Sequence, residues 1–345
     1  MISRALSVSD LPSPPSGKTG WPWTESSPPV DATQSTRRIT IVTPSFNQGA
    51  YLEETIRSVL LQGYLNLQYI IVDGGSRDDS VDIIRKYEKH LAWWVSEKDK
   101  GHTDALNKGF ARADGEIHAF INSDDFYERG ALHAAVRAIS TEHPWVVGQV
   151  RYLNEEGKTW PLPVYPERSI APWFLHCPIA QPGAFWLADI HRRIGKFRED
   201  LKYFFDYEFW MRLRFDLDIP PHVIADPIAV YRLHARSKTV AENHAFLAEA
   251  RSIRSVYEPR LNFRQRISVG IARHHKRASR FGSRAKADFA AGRRLAGVGH
   301  MLGGFLRWPP LLMDRRVRGA MSRMLMGRRA VPIDEPPVVW NYYDE

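Results

Sequence analysis

Two adjacent carboxylates follow a short apolar run in the middle of the chain. The run at 117–121 (IHAFI) leads directly into Asn122, Ser123, Asp124 and Asp125. Like charges side by side cost free energy unless a cation or strong hydrogen-bond donors lie next to them. Because Mg²⁺ and Mn²⁺ are held by one or two carboxylates plus substrate phosphates, the pair predicts a divalent-cation site. Asp125 by itself is equally well explained as a cap of the next helix.

A second group of polar residues follows two earlier apolar runs. Thr43, Pro44 and Ser45 close the first run, and Asp73 closes the second, directly before two glycines. The carboxylate of Asp73 only accepts hydrogen bonds, which suits a base N–H or a ribose hydroxyl, and the glycines permit close backbone approach. Taken alone, this run is better explained as an ordinary turn in which Asp73 caps a helix.

The elements that must position these residues are short strands alternating with longer amphipathic helices. Strands alternating with helices indicate βαβ units, and therefore an α/β fold with a mainly parallel sheet. In such sheets ligands bind beyond the carboxyl ends of the strands, where both polar groups lie. The hydrophobic pattern predicts strands over 38–43, 69–72, 93–96 and 117–121 and helices over 51–62, 80–90, 103–113 and 130–141.

These motifs, in this order, make the stretch from Ile39 to Leu132 resemble the nucleotide-sugar-binding half of a family 2 glycosyltransferase with the GT-A (Rossmann-like) fold. The stretch contains TIVTPSFNQGAYLEETIRSVLLQGY, YIIVDGGSRDDSV, WWVSEKDKGHTDALNKGF and GEIHAFINSDDFY. The resemblance implies an inverting, hexosyltransferase-type enzyme that takes a sugar from a nucleotide-sugar, most often a UDP-sugar, with Mg²⁺ or Mn²⁺ as cofactor. The acceptor that it implies is a glycan or a lipid-linked hydroxyl, as in the synthesis of cell-surface polysaccharides or glycoconjugates.

The resemblance also implies a role for each matching position. Asp124 would be the aspartate that binds the metal, and Asn122 stands where the family usually has another acid, so Asp125 is a substitute ligand. A histidine near the end of the catalytic domain often faces the diphosphate or the metal in this family, which implicates His234. The donor-binding residues that the resemblance implies are Thr43, Pro44, Ser45, Asp73, Asp99, Asn107 and Asp124.

The second half is expected to supply the catalytic base and the acceptor site. Asp206 matches the acidic segment of the family, and removal of the acceptor proton is work for a positioned carboxylate. Glu208 lies two positions further on, so on a helix the two side chains diverge, and we predict Asp206 as the base with Glu208 on the acceptor side. Gln181 and Trp186 belong to an apolar segment that reads equally well as a sugar pocket or as a core strand.

Composition restricts the class of protein. The 345 residues are 43% hydrophobic and 25% charged, which is an ordinary globular composition and excludes a collagen-like or wholly disordered chain. The single cysteine, Cys177, excludes an intramolecular disulfide and a thiolate zinc cluster. The first residues lack the apolar core of a secretory signal, and no apolar run of about 18 residues occurs, so we expect a cytoplasmic protein.

Charge is distributed unevenly along the chain. Residues 241–345 hold 20 Lys and Arg against 9 Asp and Glu, whereas residues 1–240 hold 28 against 30. We therefore expect a Pro/Ser-rich arm over 1–36, a catalytic domain over 37–240 divided at 132 into donor and acceptor halves, and a basic amphipathic helical extension over 241–345. Trp21 and Trp23 either anchor the arm to the body or stay exposed. A peripheral position on an anionic membrane, at the inner face of the cell membrane, is the favoured role of the extension.

The basic charge and the motifs also fit other functions. The same basic charge fits RNA or a plain solvated helical face, although no RNA-binding motif is present and we expect no nucleic-acid partner. A non-catalytic membrane- or polyanion-binding protein on a degenerate transferase fold has Asn122 as its sequence hint. A sugar nucleotidyltransferase normally opens with a Lys- or Arg-containing phosphate loop, and residues 43–49 contain neither.

Overall fold

The apolar runs of the first half form neighbouring parallel strands in the computed structural model, which describes residues 5–29, 37–162, 165, 168–235 and 243–307. The strands are β1 (Ile39–Ser45), β2 (Leu67–Asp73), β3 (Trp93–Ser96) and β4 (Ile117–Phe120), in the spatial order β3-β2-β1-β4. Every residue of β1 and β2 is buried, so both faces of the sheet are covered here. This burial explains why the strands appear in the sequence as continuous apolar runs.

The intervening helices are α1 (Gly49–Leu60), α2 (Ser80–Tyr87), α3 (His102–Phe110) and α4 (Ala131–Ala138). Helix α3 packs directly on the sheet because Gly109 has no side chain: a Cβ there would lie 2.4 Å from a methyl group of Val42. The predicted alternation of strands and helices in an α/β fold is confirmed.

The second half of the sheet is mixed rather than parallel. In chain order, residues 126–232 form β5 (Phe126–Tyr127), β6 (Trp145–Leu153), β7 (Thr159–Pro161), α5 (Ala171–Leu175), β8 (Ala184–Leu187), α6 (Ala188–Ile194), α7 (Phe205–Phe215) and β9 (His222–Arg232). The spatial order of the strands continues β4-β8-β6-β9-β5, with β7 paired to β6. Strand β8 runs antiparallel to both β4 and β6, while β6 and β9 are parallel.

The described part of the N-terminal arm is fixed to helix α1. Arg57 is fully buried and donates hydrogen bonds to the backbone oxygens of Pro12, Pro22 and Trp23, at 2.8, 3.1 and 2.7 Å. Trp23 is buried, and the indole Nε1 of Trp21 donates to a carbonyl of β5 at 2.8 Å. Both tryptophans therefore anchor the arm.

The chain divides into two compact units, Met1–Arg168 with Cys177–Ile253, and Ser169–His176 with Arg254–Glu345. The last helices are α8 (Asn243–Tyr257), α9 (Phe263–Ala290) and α10 (Arg294–Arg307). Helices α9 and α10 pack closely because a Cβ at Gly297 would lie 2.7 Å from the ring of Phe289. None of the helices that the structure describes is long and apolar enough to cross a bilayer. The remainder of the predicted extension, 308–345, lies outside the described residues.

Candidate active site

The loops that follow β1 and β2 are joined at the carboxyl edge of the sheet. The N–H of Gly74 donates to the carbonyl of Ser45 at 2.8 Å. The buried carboxylate of Asp73 accepts the N–H groups of Gly75 and Ser76 and the hydroxyls of Ser76 and Ser96, at 2.5 to 3.1 Å. This carboxylate holds its own loop, so a bond from Asp73 to a nucleoside requires that one of these contacts be exchanged.

Thr43 and Pro44 are buried within β1, and the contact of the loop at 43–45 with a nucleoside stays a prediction. The hydroxyl of Thr43 meets the phenol of Tyr69 at 3.1 Å. Ser45 is also buried, although its Oγ has no hydrogen-bond partner in the structure. The next residue, Phe46, is 60% exposed, so the loop presents an aromatic ring at the edge of the site.

The loop between β3 and α3 closes against the loop after β2. The N–H of Glu97 donates to the carbonyl of Asp73 at 3.0 Å, and a Cβ at Gly74 would lie 2.8 Å from the carboxylate of Asp99. Partial burial raises the pKa of Asp99, and the nearby negative charges of Asp104 and Asp73 act in the same direction. Asp99 therefore lies beside the loop after β2, and its contact with a donor stays a prediction.

Asp124 and His234 face each other across the end of β4. Nε2 of His234 lies 3.1 Å from Oδ2 of Asp124, the histidine side chain is 1% exposed and the aspartate 18%. The ring of Tyr51 in α1 contacts the ring of His234 in a tilted arrangement, with the centroids 4.6 Å apart. The structure thus brings together two residues that are 110 positions apart in the chain and that were both predicted as metal ligands.

Asp125 has a partner inside the protein, and its role as a substitute metal ligand stays a prediction. The side chain is buried, and its Oδ1 accepts the backbone N–H of Arg232 at 2.8 Å. Burial, together with the negative charge of Asp124, raises the pKa of Asp125 well above the usual range of a carboxyl group. The hydroxyl of Thr55 binds the carbonyl of Asp125 at 2.6 Å, which fastens the turn to α1.

The side chains of Asp124 and His234 can hold a divalent cation only when a bound substrate supplies further ligand atoms. Within the described ranges, no group of three or more His, Cys, Asp or Glu side chains is arranged to hold a metal ion. One carboxylate and one imidazole leave most coordination positions to diphosphate oxygens and water, as is usual for Mg²⁺ in phosphate-transfer sites. The imidazole favours a transition ion such as Mn²⁺ over Mg²⁺.

Helix α7 begins at the same edge of the sheet. The ring of Phe205 contacts Phe120, the last residue of β4, and His102, the first residue of α3, at centroid distances of 6.2 and 4.9 Å. Asp206 follows in the first turn and is partly exposed. Burial raises the pKa of Asp206 to about 7, although the N–H of Tyr207 donates to its Oδ1 at 2.7 Å. A carboxylate with this pKa is suited to general-base catalysis near neutral pH.

Two predicted ligand residues have partners within the protein. The amide of Asn107 is bound at both ends by the backbone of Phe197, at 2.9 and 3.0 Å, so it joins α3 to the segment before α7. Trp186 is fully buried and packs against Trp210 and Phe209. Of the apolar segment, Ala184–Leu187 is strand β8 and Gln181–Gly183 is a short 3-10 turn. Ligand roles for Asn107 and Trp186 stay predictions.

The other two predicted acceptor residues also have internal partners. Gln181 donates to the carbonyl of Phe120 at 2.7 Å and accepts from Asn122 at 3.3 Å. Glu208 pairs with Arg212, with Oε2 at 2.9 and 3.0 Å from two guanidinium nitrogens, and its side chain is 7% exposed. Gln181 and Glu208 are both buried, whereas Asp206, in the first turn of α7, is partly exposed to solvent.

Two residues that are not among the predicted site residues lie at this edge. Phe46 lies inside a loop that was predicted to bind the donor, and an aromatic side chain among turn residues was a usable signal. Arg232 contacts both aspartates of the turn after β4, and no sequence pattern linked it to them because its partners lie 107 and 108 positions away.

Known proteins resemble this chain over the sheet and its loops. The family model for Glycosyl transferase family 2 matches residues 40–218. An uncharacterised glycosyltransferase of Mycobacterium tuberculosis is 31% identical over 180 residues, which cover 50% of this chain and 68% of the relative. The putative teichuronic acid biosynthesis glycosyltransferase TuaG of Bacillus subtilis is 37% identical over 99 residues, covering 27% of this chain and 38% of that protein.

A solved structure matches more of the chain at lower identity. The mannosyltransferase PcManGT from Pyrobaculum calidifontis, in complex with GDP-Man and Mn²⁺, is 18% identical and gives a TM-score of 0.51, with 89% of this chain and 88% of that chain covered. The likeness shows that the fold is that of the GT-A glycosyltransferases.

Proposed function

This chain belongs to glycosyl transferase family 2, and on that premise we propose that it transfers a sugar from a nucleotide-sugar to an acceptor hydroxyl, with inversion at the anomeric carbon. The observation that carries the proposal is the pairing of Asp124 with His234 at 3.1 Å, where the carboxyl ends of the strands meet. A bound diphosphate would complete the ligand set that these two residues begin.

The nucleoside is proposed to lie across the loops after β1, β2 and β3. Phe46 offers an exposed ring face for the base, and Asp99 is a carboxylate beside the glycine-containing loop. UDP-sugars are the first donor class to test, and the GDP-Man bound by PcManGT makes GDP-sugars the second. For the cation, the proposed ligands are Asp124 and His234, and the ion would supply positive charge to the departing diphosphate.

The chemistry proposed for this chain is a single displacement. The carboxylate of Asp206 accepts the proton of the acceptor hydroxyl as the oxygen forms its bond to the anomeric carbon. The bond from that carbon to the phosphate oxygen breaks, and its electron pair leaves with the nucleoside diphosphate. Attack on the face opposite the leaving group inverts the configuration.

Calorimetry with purified protein tests the donor site. UDP, GDP and their sugars are titrated with and without Mn²⁺ into the wild type, into Asp124→Asn, and into Asp82→Asn, a control acid that is 80% exposed on α2. We expect Mn²⁺-dependent binding of one nucleotide by the wild type and the control, and its loss in Asp124→Asn. Absence of binding to every member, in protein shown to be folded, would reject the transferase proposal.

An anionic membrane surface is the partner proposed for the basic extension. Residues 261–307 contain 11 Lys and Arg and 1 Asp, and α10 carries exposed leucines at 295, 302 and 306. These positions follow the helical repeat, so they share one face of α10. Apolar side chains on a basic helix are typical of interfacial binding, and a lipid-linked acceptor would bring the catalytic unit to that surface.

A further inference from the structure

Arg232, the last residue of β9, touches the turn of Asp124 and Asp125 at two points. Its backbone N–H donates to the carboxylate of Asp125 at 2.8 Å, and its Nε donates to the carbonyl of Asp124 at 3.0 Å. The first contact uses the main chain, whereas the second needs the guanidinium group. The two together fix the backbone that carries the Asp124 carboxylate.

The same guanidinium group also holds helix α1. Its Nη2 lies 2.9 Å from Oε2 of Glu54, and both side chains are mostly buried, at 16% and 18% exposure. The group lies 5.0 Å from the centroid of the Tyr51 ring, and that ring makes a tilted contact with the ring of His234. Arg232 is therefore in direct contact with the Asp124 backbone on one side and with the neighbour of His234 on the other.

We propose that Arg232 is a positioning residue that sets the separation of Asp124 and His234, and that it acts on the cation through them instead of binding the donor phosphates. A planar guanidinium can serve a carbonyl and a carboxylate at once, which the single ammonium group of lysine cannot reproduce. The inference rests on the proposed function, since it assumes a donor diphosphate and a cation at this pair.

Substitution of Glu54 distinguishes two roles of Arg232: positioning the Asp124–His234 pair and direct binding of the donor phosphates. If Arg232 contacted the phosphates, removing the charge of Glu54 would leave donor binding unchanged or strengthen it. If Arg232 positions the pair, Glu54→Gln releases one of its anchors and weakens cation binding. The two substitutions would then be non-additive, because they act on one network.

The experiment measures Mn²⁺ binding by electron paramagnetic resonance, in the presence of whichever of UDP and GDP the wild type binds, and nucleotide binding without metal by calorimetry. The variants are Arg232→Gln, Arg232→Lys, Glu54→Gln and the double variant of Arg232→Gln with Glu54→Gln. Arg214→Gln is the matched control, because Arg214 on α7 is 13% exposed and pairs with Asp218, which follows the helix. Melting curves confirm that each variant is folded.

We expect Arg232→Gln and Arg232→Lys to weaken Mn²⁺ binding about 10- to 100-fold, the range found when groups that orient metal ligands are removed. Nucleotide binding without metal should match the wild type, Glu54→Gln should show a smaller loss for Mn²⁺, and the double variant should be no worse than Arg232→Gln. The inference would be overturned if Arg232→Gln bound Mn²⁺ with unchanged affinity. It would also be overturned if Arg232→Gln lost nucleotide binding without metal while Glu54→Gln behaved as the wild type. A wild type that binds neither nucleotide would instead reject the proposed function itself.

Discussion

Asp206 and Asp125 show how burial assigns different work to two residues of the same type. Burial raises the pKa of both carboxyl groups, to about 7 for Asp206. Asp206 stays partly exposed in the first turn of α7, so it can exchange a proton with an acceptor. Asp125 is closed off and receives a backbone N–H from Arg232. The first is therefore suited to catalysis and the second to holding a turn.

The pH dependence of turnover tests the role of Asp206. A base must be ionised to accept a proton, so kcat/KM of the wild type should fall about tenfold for each pH unit below about 7 and level off above it. Asp206→Asn should lower kcat about 10²- to 10⁴-fold and leave nucleotide affinity unchanged. Asp189→Asn, at an exposed acid of α6, is the control and should keep the wild-type profile. A full rate in Asp206→Asn would show that another group accepts the proton.

A comparison of Asp125 with Asp124 tests which carboxylate meets the cation. Because the surroundings of Asp125 favour its neutral form, Asp125→Asn changes little and should bind Mn²⁺ as the wild type does, with stability altered by no more than about 1 kcal/mol. Asp124→Asn should lose Mn²⁺ binding. Equal losses in the two variants would return Asp125 to the ligand set.

At the scale of elements, helix α1 is the common support of the arm and of the site. Its inner positions bury Leu52, Ile56 and Val59 against the sheet, while Thr55 holds the turn after β4 and Arg57 holds the arm. Because one short helix meets both features, the described part of the arm, residues 5–29, packs as part of the same compact unit as the sheet.

Substitution of Arg57 tests the anchoring of the arm. Arg57→Met leaves three backbone carbonyls without their donor, and each unsatisfied buried group costs about 1 to 3 kcal/mol, so the free energy of unfolding should fall by about 3 kcal/mol or more. Urea unfolding measures the loss. Arg85→Met, at a side chain that is 62% exposed, should change it by less than about 0.5 kcal/mol. A small loss in Arg57→Met would mean that the arm contributes little.

The elements were predictable from the sequence to a greater extent than the contacts between them. The apolar runs indicated the strands, and 93–96 was predicted with its observed bounds although its four residues are only half-buried. Trp186 could not be assigned, because an apolar segment next to a polar loop fits a pocket and a core equally well. The partner of Asn107 lies 90 positions away, and tertiary packing alone determines such a pair. Asp124 was indicated by the adjacent carboxylates as well as by resemblance to a family, whereas His234 was indicated by the resemblance alone.

At the scale of the whole molecule, the chain combines a nearly neutral body with a strongly basic extension. Residues 1–240 carry 28 basic and 30 acidic groups, while the last 105 residues carry 20 and 9. Net charge of this kind guides association with an anionic surface but contributes little to the choice of fold. The exposed leucines of α10 add an apolar contribution that charge alone does not supply.

Vesicle flotation tests the two contributions separately. We expect the wild type to bind vesicles of phosphatidylcholine with phosphatidylglycerol and to bind pure phosphatidylcholine weakly, because each basic residue near an anionic surface contributes about 1 kcal/mol. Replacing Leu295, Leu302 and Leu306 by Ser should weaken binding at least about tenfold, since each leucine gains roughly 1.5 to 3 kcal/mol on burial. Val256→Ser, at a residue that is 59% exposed on α8, is the control. Unchanged vesicle binding by the triple variant would contradict a lipid contact of the three leucines. If the wild type sediments as an oligomer and the triple variant as a monomer, the leucine face would be assigned to protein contacts.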